Sequence, residues 1–244
     1  MKSNKNSAPV AQVISCTSLR KANLSAFYVP DQKRILIDED IPTPKHRWIE
    51  AHEISHGLIP WHSEFCFGDN KITLHPECDR IIEAEANYGG SRLLFLGDRF
   101  GEEARSQELS FKAIQDLSKQ YGNTLQSTLW KTVEDRNPDQ AVFGMVSVVP
   151  KHPHIGAEEF GEQSRLIRSR RFREQFYNVS AEQAFGLLDK HSNYRKRGPI
   201  VDGTDILTDV NGNDFEFKLE GFSNTYSLLS FGACSDARAT IIQV

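Results

Sequence analysis

The stretch TPKHRWIEAHEISHGLIP, residues 43–60, decides how the first half of the chain folds. Thr43 is a candidate N-cap, the proline after it suits the first helical position, and Pro60 is expected to end the helix. Residues that recur three or four positions apart predict one shared face of this helix. The members of that face are Trp48, Ala51, Ser55 and Leu58.

The same helix carries the motif His52-Glu53-Ile54-Ser55-His56. Residues four apart lie on one face of a helix, so both imidazoles can bind a single zinc ion. Glu53 can then act as the general base toward a water molecule whose pKa the metal lowers to about 7. The pattern indicates a zinc-dependent hydrolase; the alternative is two histidines on a solvated face.

A catalytic zinc ion needs a third protein ligand, and a second predicted helix, residues 77–96, offers three acidic candidates. Asp79 and Glu83 share one face of this helix, whereas Glu85 points about a quarter-turn or more away. Helical geometry alone leaves the choice between Asp79 and Glu83 open.

Gly89 and Gly90 lie inside this second helix. Each glycine costs roughly 1 kcal/mol relative to alanine in a helix interior. A helix that keeps both is expected to have another backbone packed closely against it, so these glycines predict a tight helix contact.

The segments on either side are also patterned. Residues 1–20 are interpreted as a flexible arm, and SAFYV and RILID, joined by Pro30–Lys33, as a β-hairpin. Residues 110–136 have a helix–turn–helix outline, with Ser110 as a cap and Gly122 at the first helix end.

After Pro138 the pattern changes to strands with a helix near SAEQAFGLLDKH. The predicted strands are AVFGMVSVV, a hairpin of FEFKLEGF and TYSLLSF, and a last strand ARATIIQV. An arginine-rich stretch between them is interpreted as a solvated helix face. Its members are Arg165, Arg168, Arg170, Arg171 and Arg173.

These elements predict an α+β protein. We expect a mainly helical HExxH metallopeptidase domain over residues 21–137, with a small N-terminal β-hairpin or sheet. A mixed α/β region, residues 138–244, follows and is a candidate for substrate recognition or sensing.

A second group of possible zinc ligands follows the first helix within 17 residues. Its members are His62, Cys66, His75 and Cys78. They could form a structural zinc site. The order of ligands matches no common zinc-finger signature, so a surface loop with unrelated histidines and thiols is the favoured interpretation.

Composition restricts the functional class. The 244 residues carry a formal net charge of −4, and no apolar run is long enough to span a bilayer. The polar first residues lack the apolar stretch of a signal peptide, so we expect a cytoplasmic protein with no membrane partner. The four cysteines are then expected to be thiols or metal ligands.

The motif at residues 52–56, followed by Glu83-Ala-Glu-Ala-Asn87 and a leucine-rich stretch, resembles the ImmA/IrrE family of metallopeptidases. The resemblance covers roughly residues 25–135, including Pro60-Trp61-His62. It implies that Glu83 is the third zinc ligand. It also implies endoproteolysis of a helix-turn-helix repressor, which relieves repression of stress or mobile-element genes.

Two rival functions remain open at this point. One is a DNA-associated regulator that acts through residues 110–136, but those helices carry acidic as well as basic residues, so direct nucleic-acid binding is not expected. The other is a zinc-bound regulatory protein without peptidase activity. Glu53 speaks against it, because a purely structural zinc site needs no base.

Overall fold

The computed structural model combines helices and sheets, as expected for the α+β class. It divides into two compact units, Met1–Gly97 and Asp98–Val244. The residues that the structure describes are 10–14, 25–62, 76–148, 164–193, 197–225 and 227–238.

The first unit consists of a three-stranded sheet and two long helices. Its elements are β1 (Val10–Ile14), β2 (Ala26–Val29), β3 (Arg34–Asp38), α1 (Thr43–Leu58) and α2 (Pro76–Leu94). The sheet order is β1-β3-β2, and β2 and β3 form the predicted antiparallel hairpin. Ala26, Ile35 and Ile37 are buried in this hairpin, with Ile49 and Ile54 of α1 packed against them.

Strand β1 corrects the prediction of a flexible arm over residues 1–20. Residues 10–14 pair in parallel with β3, while the rest of the predicted arm lies outside the described residues. The side chains of Val10 and Val13 are 66% and 50% exposed. Because backbone hydrogen bonds rather than side-chain burial hold β1 in place, no hydrophobic pattern marked it.

Helix α1 departs from its prediction in two details. Thr43 lies inside the helix, and the capping position is Pro42, which makes no side-chain cap. On the predicted shared face, Ala51 and Ser55 are buried, but Trp48 and Leu58 are 37% and 65% exposed. The buried stripe is therefore made of small residues, which suits a close helix neighbour rather than a bulky core.

That neighbour is α2, and its two glycines have the predicted role. A Cβ atom on Gly89 would lie 2.8 Å from Ser55 Oγ, and one on Gly90 would lie 3.1 Å from the backbone nitrogen of His52. A larger side chain at either position would push the helices apart. The prediction of a tight helix contact at these glycines is confirmed.

The second unit is built around a five-stranded antiparallel sheet of order β5-β4-β8-β7-β6. Its strands are β4 (Val142–Val148), β5 (Arg165–Arg168), β6 (Gly198–Thr208), β7 (Asp214–Ser223) and β8 (Ser227–Arg238). Its helices are α3 (Arg99–Arg105), α4 (Phe111–Tyr121), α5 (Leu125–Asp135), α6 (Arg170–Gln175) and α7 (Ala181–Lys190).

Several predictions for this unit are confirmed and others are corrected. Strand β4, the β7–β8 hairpin and helix α7 lie where they were expected. Strand β6 was missed, and β8 is continuous to Arg238, with residues 239–244 outside the described chain. The arginine-rich stretch is divided between strand β5 and helix α6, so it is not one helix face.

Helices α4 and α5 belong to the sheet unit, although the sequence placed them in the metallopeptidase domain. The Ser110 cap and the left-handed Gly122 lie as predicted. Ile114 of α4 and Leu129 of α5 are fully buried in one cluster with strand residues such as Phe231. The change in composition at Pro138 therefore marks a turn, because the apolar faces of both helices cover the sheet beyond it.

The other face of the sheet is covered by α6 and α7. Successive residues of β4 alternate between the two sides: Val142 joins the cluster under α4 and α5, and Phe143 joins the opposite one. Phe172 of α6 and Leu188 of α7 are buried in that opposite cluster. The sheet is thus apolar on both faces. Within the described part of the chain, no helix is both long and apolar enough to cross a membrane.

Candidate metal centre

The crossing of α1 and α2 brings His52, His56 and Glu83 together. Their ligand atoms all lie within 4.8 Å of one another. The two Nε2 atoms are 3.1 Å apart, and the Glu83 carboxylate lies 3.3 Å from Nε2 of His52 and 3.7 Å from Nε2 of His56. The i, i+4 spacing places both rings on one side of α1, and the glycines of α2 let that side approach Glu83.

Asn87 orients the first of the two rings. The Nδ1–H of His52 donates a hydrogen bond to Oδ1 of Asn87, at 3.1 Å. Because an amide oxygen only accepts, the proton of the neutral ring must be on Nδ1. Nε2, the atom that faces Glu83, is then left with its lone pair. Asn87 is one turn beyond Glu83 on α2, so one helix supplies both the acidic group and the orienting amide.

His62 performs the same task for His56. The two Nδ1 atoms are 2.9 Å apart, and Nε2–H of His62 donates to Oε2 of Glu85 at 3.0 Å. Since the carboxylate can only accept, a neutral His62 carries its proton on Nε2 and accepts from Nδ1–H of His56. The lone pair of His56 therefore also lies on Nε2.

The donor set fits a small divalent cation. When both rings are neutral with their protons on Nδ1, two Nε2 lone pairs lie 3.1 Å apart beside a carboxylate, and a proton or a metal ion among them relieves the repulsion. Nitrogen ligands at 2.0–2.1 Å around a tetrahedral zinc ion are about 3.3 Å apart, close to the separations found here. Two imidazoles and one carboxylate are also a common ligand set of catalytic zinc, which keeps a fourth position open.

The pKa values of the two histidines differ. Burial, reinforced by charge repulsion from His52, lowers the pKa of His56 to about 4. Burial also opposes protonation of His52, but its hydrogen bond to Glu83 and the attraction of that carboxylate prevail, so the pKa of His52 is raised. Because metal binding requires unprotonated imidazoles, protons compete with a metal ion more strongly at His52 than at His56.

The three acidic candidates for a third ligand have separate positions. Glu83 lies at the two histidines, whereas Glu85 accepts hydrogen bonds from His62 and from Nε1–H of Trp61, both at 3.0 Å. Asp79 is not a member of the ligand group, and its charge favours protonation of His56. The residue that the family resemblance selected is therefore the one beside both Nε2 atoms.

Glu53, the predicted general base, is half-buried on α1 next to His52. Its negative charge helps to raise the pKa of His52, which places it within electrostatic range of the centre. It is not a member of the ligand group formed by His52, His56 and Glu83. Glu53 is therefore close to the centre without belonging to its ligand group.

The possible second zinc site is not assembled among the described residues. Both ring nitrogens of His62 are engaged by His56 and Glu85, and Cys78 is an exposed thiol on α2. Cys66 and His75 lie outside the described residues. The favoured prediction of a surface loop does not hold for His62, which is fully buried between His56 and Glu85. Its place directly after Pro60-Trp61, within the segment that resembles the family, was a signal.

No model of a known protein family matches the chain, and no curated protein matches it. Among solved structures, a Mycobacterium tuberculosis transcriptional regulator is similar over 93% of this chain and 75% of its own, at 10% identity and a TM-score of 0.48. A likeness this weak supports no statement about fold or function. The resemblance to ImmA/IrrE stays a prediction from motifs.

Proposed function

We propose that this protein is a zinc-dependent endopeptidase that cleaves a helix-turn-helix transcriptional repressor. The observation that carries the proposal is the convergence of His52, His56 and Glu83. Glu53 lies on the same helix as the two histidines. The ligand type and the oriented Nε2 atoms support zinc. The motif resemblance supports the substrate class.

In this proposal the three ligands hold zinc, which when bound supplies Lewis-acid polarisation of the scissile carbonyl. Glu53 takes a proton from the attacking water and delivers it to the leaving amine nitrogen. Asn87 and His62 keep the two imidazoles in the tautomer that presents Nε2 to the metal. Glu53 therefore moves a proton, whereas Asn87 and His62 hold the Nδ1 protons of the two imidazoles in place.

A groove lies along the part of α2 that carries Glu85, and none of the three proposed ligands lines it. Its volume is about 440 Å³, and its lining includes Trp61, Ile81 and Tyr88, together with Glu85. Trp61, Ile81 and Tyr88 are all among the exposed large hydrophobic residues. Apolar side chains of a bound peptide can bury surface there.

The helix pair α4–α5 gives little support to a DNA-binding function. Lys131 of α5 is only 6% exposed and forms an ion pair with Asp135 at 2.7 Å. Lys112 of α4 reaches solvent but is paired with Asp116. Phosphate binding needs a cluster of basic side chains that reach solvent, and the apolar faces of both helices are used by the sheet.

The test is a comparison of wild type with Glu53→Gln. The substitution keeps the size of the side chain but removes the base, so zinc content and fold should persist while the cleavage rate falls by about 10²–10⁴-fold. The substrate is a repressor encoded beside this gene, with cleavage followed by mass spectrometry and zinc by elemental analysis. Glu102→Gln, an exposed position on α3, removes the same charge and should leave the rate unchanged.

Two outcomes would contradict the proposal in different ways. Cleavage by Glu53→Gln at the wild-type rate would remove Glu53 as the base. A wild-type protein that holds one zinc ion but cuts no neighbouring repressor would favour the non-catalytic regulatory protein instead.

A further inference from the structure

A buried histidine, His62, and a partly exposed glutamate, Glu85, lie behind the metal centre. His62 is fully buried and lies in a short helical turn that follows the end of α1. Glu85 reaches it from α2 and accepts from two donors through the same oxygen: Nε2–H of His62 and Nε1–H of Trp61. An imidazole buried this completely keeps its polar atoms satisfied only if both nitrogens have partners, and the partners are His56 and Glu85.

Glu85, His62 and His56 form a series of hydrogen bonds, and the Glu85 carboxylate determines the direction of each bond in it. The Glu85 carboxylate can only accept, so His62 donates to it and offers its Nδ1 lone pair to His56. His56 must then carry its proton on Nδ1. Reversing either ring would place two donors or two acceptors face to face at 2.9–3.0 Å, which costs the full penalty of an unsatisfied buried group.

We propose that His62 and Glu85 are positioning residues that hold His56 in the tautomer and ring orientation in which it binds the metal. The Glu85 carboxylate also polarises the His62–His56 hydrogen bond, which makes Nε2 of His56 a stronger metal ligand. The proposal rests on the metal-binding part of the proposed function and not on peptidase activity. It also assigns His62 a role that excludes it from a second zinc site.

The experiment measures zinc affinity by competition with a chromophoric chelator, and bound Co²⁺ by its d–d absorption. His62→Phe keeps a planar ring but removes both nitrogens, and Glu85→Leu removes the acceptor. Each should weaken zinc binding by about 10–100-fold, as for other residues that support metal ligands. The Co²⁺ spectrum should change with them, because His56 is released from its fixed orientation.

His62→Gln is the rescue variant. A glutamine oxygen can accept from His56 while its amide nitrogen donates to Glu85, so most of the lost affinity should return. Trp61→Phe is the matched control, because it removes only the second donor to Glu85 and should leave zinc affinity near that of wild type. Thermal unfolding of each metal-free variant separates metal affinity from folding.

Unchanged zinc affinity in both His62→Phe and Glu85→Leu would overturn the proposal, as would an equal loss in His62→Gln and His62→Phe. A wild-type content of two zinc ions per chain, one of which is lost in His62→Phe, would also overturn it in favour of the His/Cys site. If His62→Phe does not fold, the zinc affinity and the Co²⁺ spectrum of Glu85→Leu test the proposal by themselves. Because no readout is cleavage, a failed cleavage assay does not affect the result.

Discussion

At the scale of single residues, the centre depends on which nitrogen of each histidine carries the proton. His52 and His56 each present Nε2 to Glu83 because a partner holds the proton on Nδ1. The two partners differ: Asn87 is an exposed amide, whereas His62 is a buried imidazole with a carboxylate behind it. The position of the Nδ1 proton of His52 therefore depends on one hydrogen bond that a single substitution removes.

We predict that Asn87→Ala lowers zinc affinity by about tenfold, the lower end of the range for residues that support metal ligands. The substitution removes the acceptor for Nδ1–H of His52, so the ring can rotate or change tautomer. Zinc affinity by chelator competition is the measurement. Asn87→Asp keeps an acceptor at this position and should retain or exceed wild-type affinity; a loss as large as that of Asn87→Ala would contradict the prediction.

At the scale of secondary-structure elements, the centre depends on how closely α1 and α2 approach. A Cβ atom on Gly90 would lie 3.1 Å from the backbone nitrogen of His52 and 3.3 Å from its Cα atom. Backbone cannot yield as a side chain can, so the whole of α1 would have to move. His52, whose backbone would be displaced first, is a proposed metal ligand. The distance between the two helices therefore also affects the geometry of the metal site.

We predict that Gly90→Ala destabilises the protein by about 1–3 kcal/mol and weakens zinc binding, because it separates His52 from Glu83. Chemical denaturation and chelator competition measure the two effects. Gly186→Ala is the contrasting variant, since a Cβ atom at this position of α7 meets nothing within 4 Å. It should stabilise by about 0.5–1 kcal/mol through helix propensity alone. If Gly90→Ala also stabilised and bound zinc normally, the close packing would not constrain the site.

At the scale of the whole molecule, most of the apolar core belongs to the second unit. Phe143 is fully buried at the centre of one sheet face, with ring centroids 5.3 Å from Phe172 and 5.8 Å from Phe217. Its ring lies over Gly232 on the neighbouring strand, where a Cβ atom would come within 2.2 Å of it. Phe143 and Gly232 are paired in register, and the Phe143 ring occupies the space that a side chain at Gly232 would take.

We predict that Phe143→Ala lowers the free energy of unfolding by about 3–5 kcal/mol, because the glycine opposite cannot fill the cavity. Urea denaturation followed by circular dichroism is the measurement. Tyr177→Ala, at a position that is 70% exposed in the same unit, is the control. It should change stability by no more than about 0.5 kcal/mol. A similar shift for both variants would show that Phe143 is not central to the core.

Local signals in the sequence determined most of the elements. Helix α1, the β2–β3 hairpin, the capped helices α4 and α7, and the glycines of α2 were all predictable. Each depends on neighbours a few positions apart, through periodicity, caps or turn residues. The pairing of His52 with His56 is of the same kind, because the i, i+4 spacing carries it.

Only the tertiary structure decided the contacts between distant parts of the chain. It placed Glu83, rather than Asp79 or Glu85, at the two histidines, and it joined His62 to Glu85 across 23 residues of sequence. It also paired β1 with β3 and assigned α4 and α5 to the sheet unit. A spacing pattern reports which side of an element a residue faces, but not which other element lies there. That information arises only when the faces pack together and their polar groups must find partners.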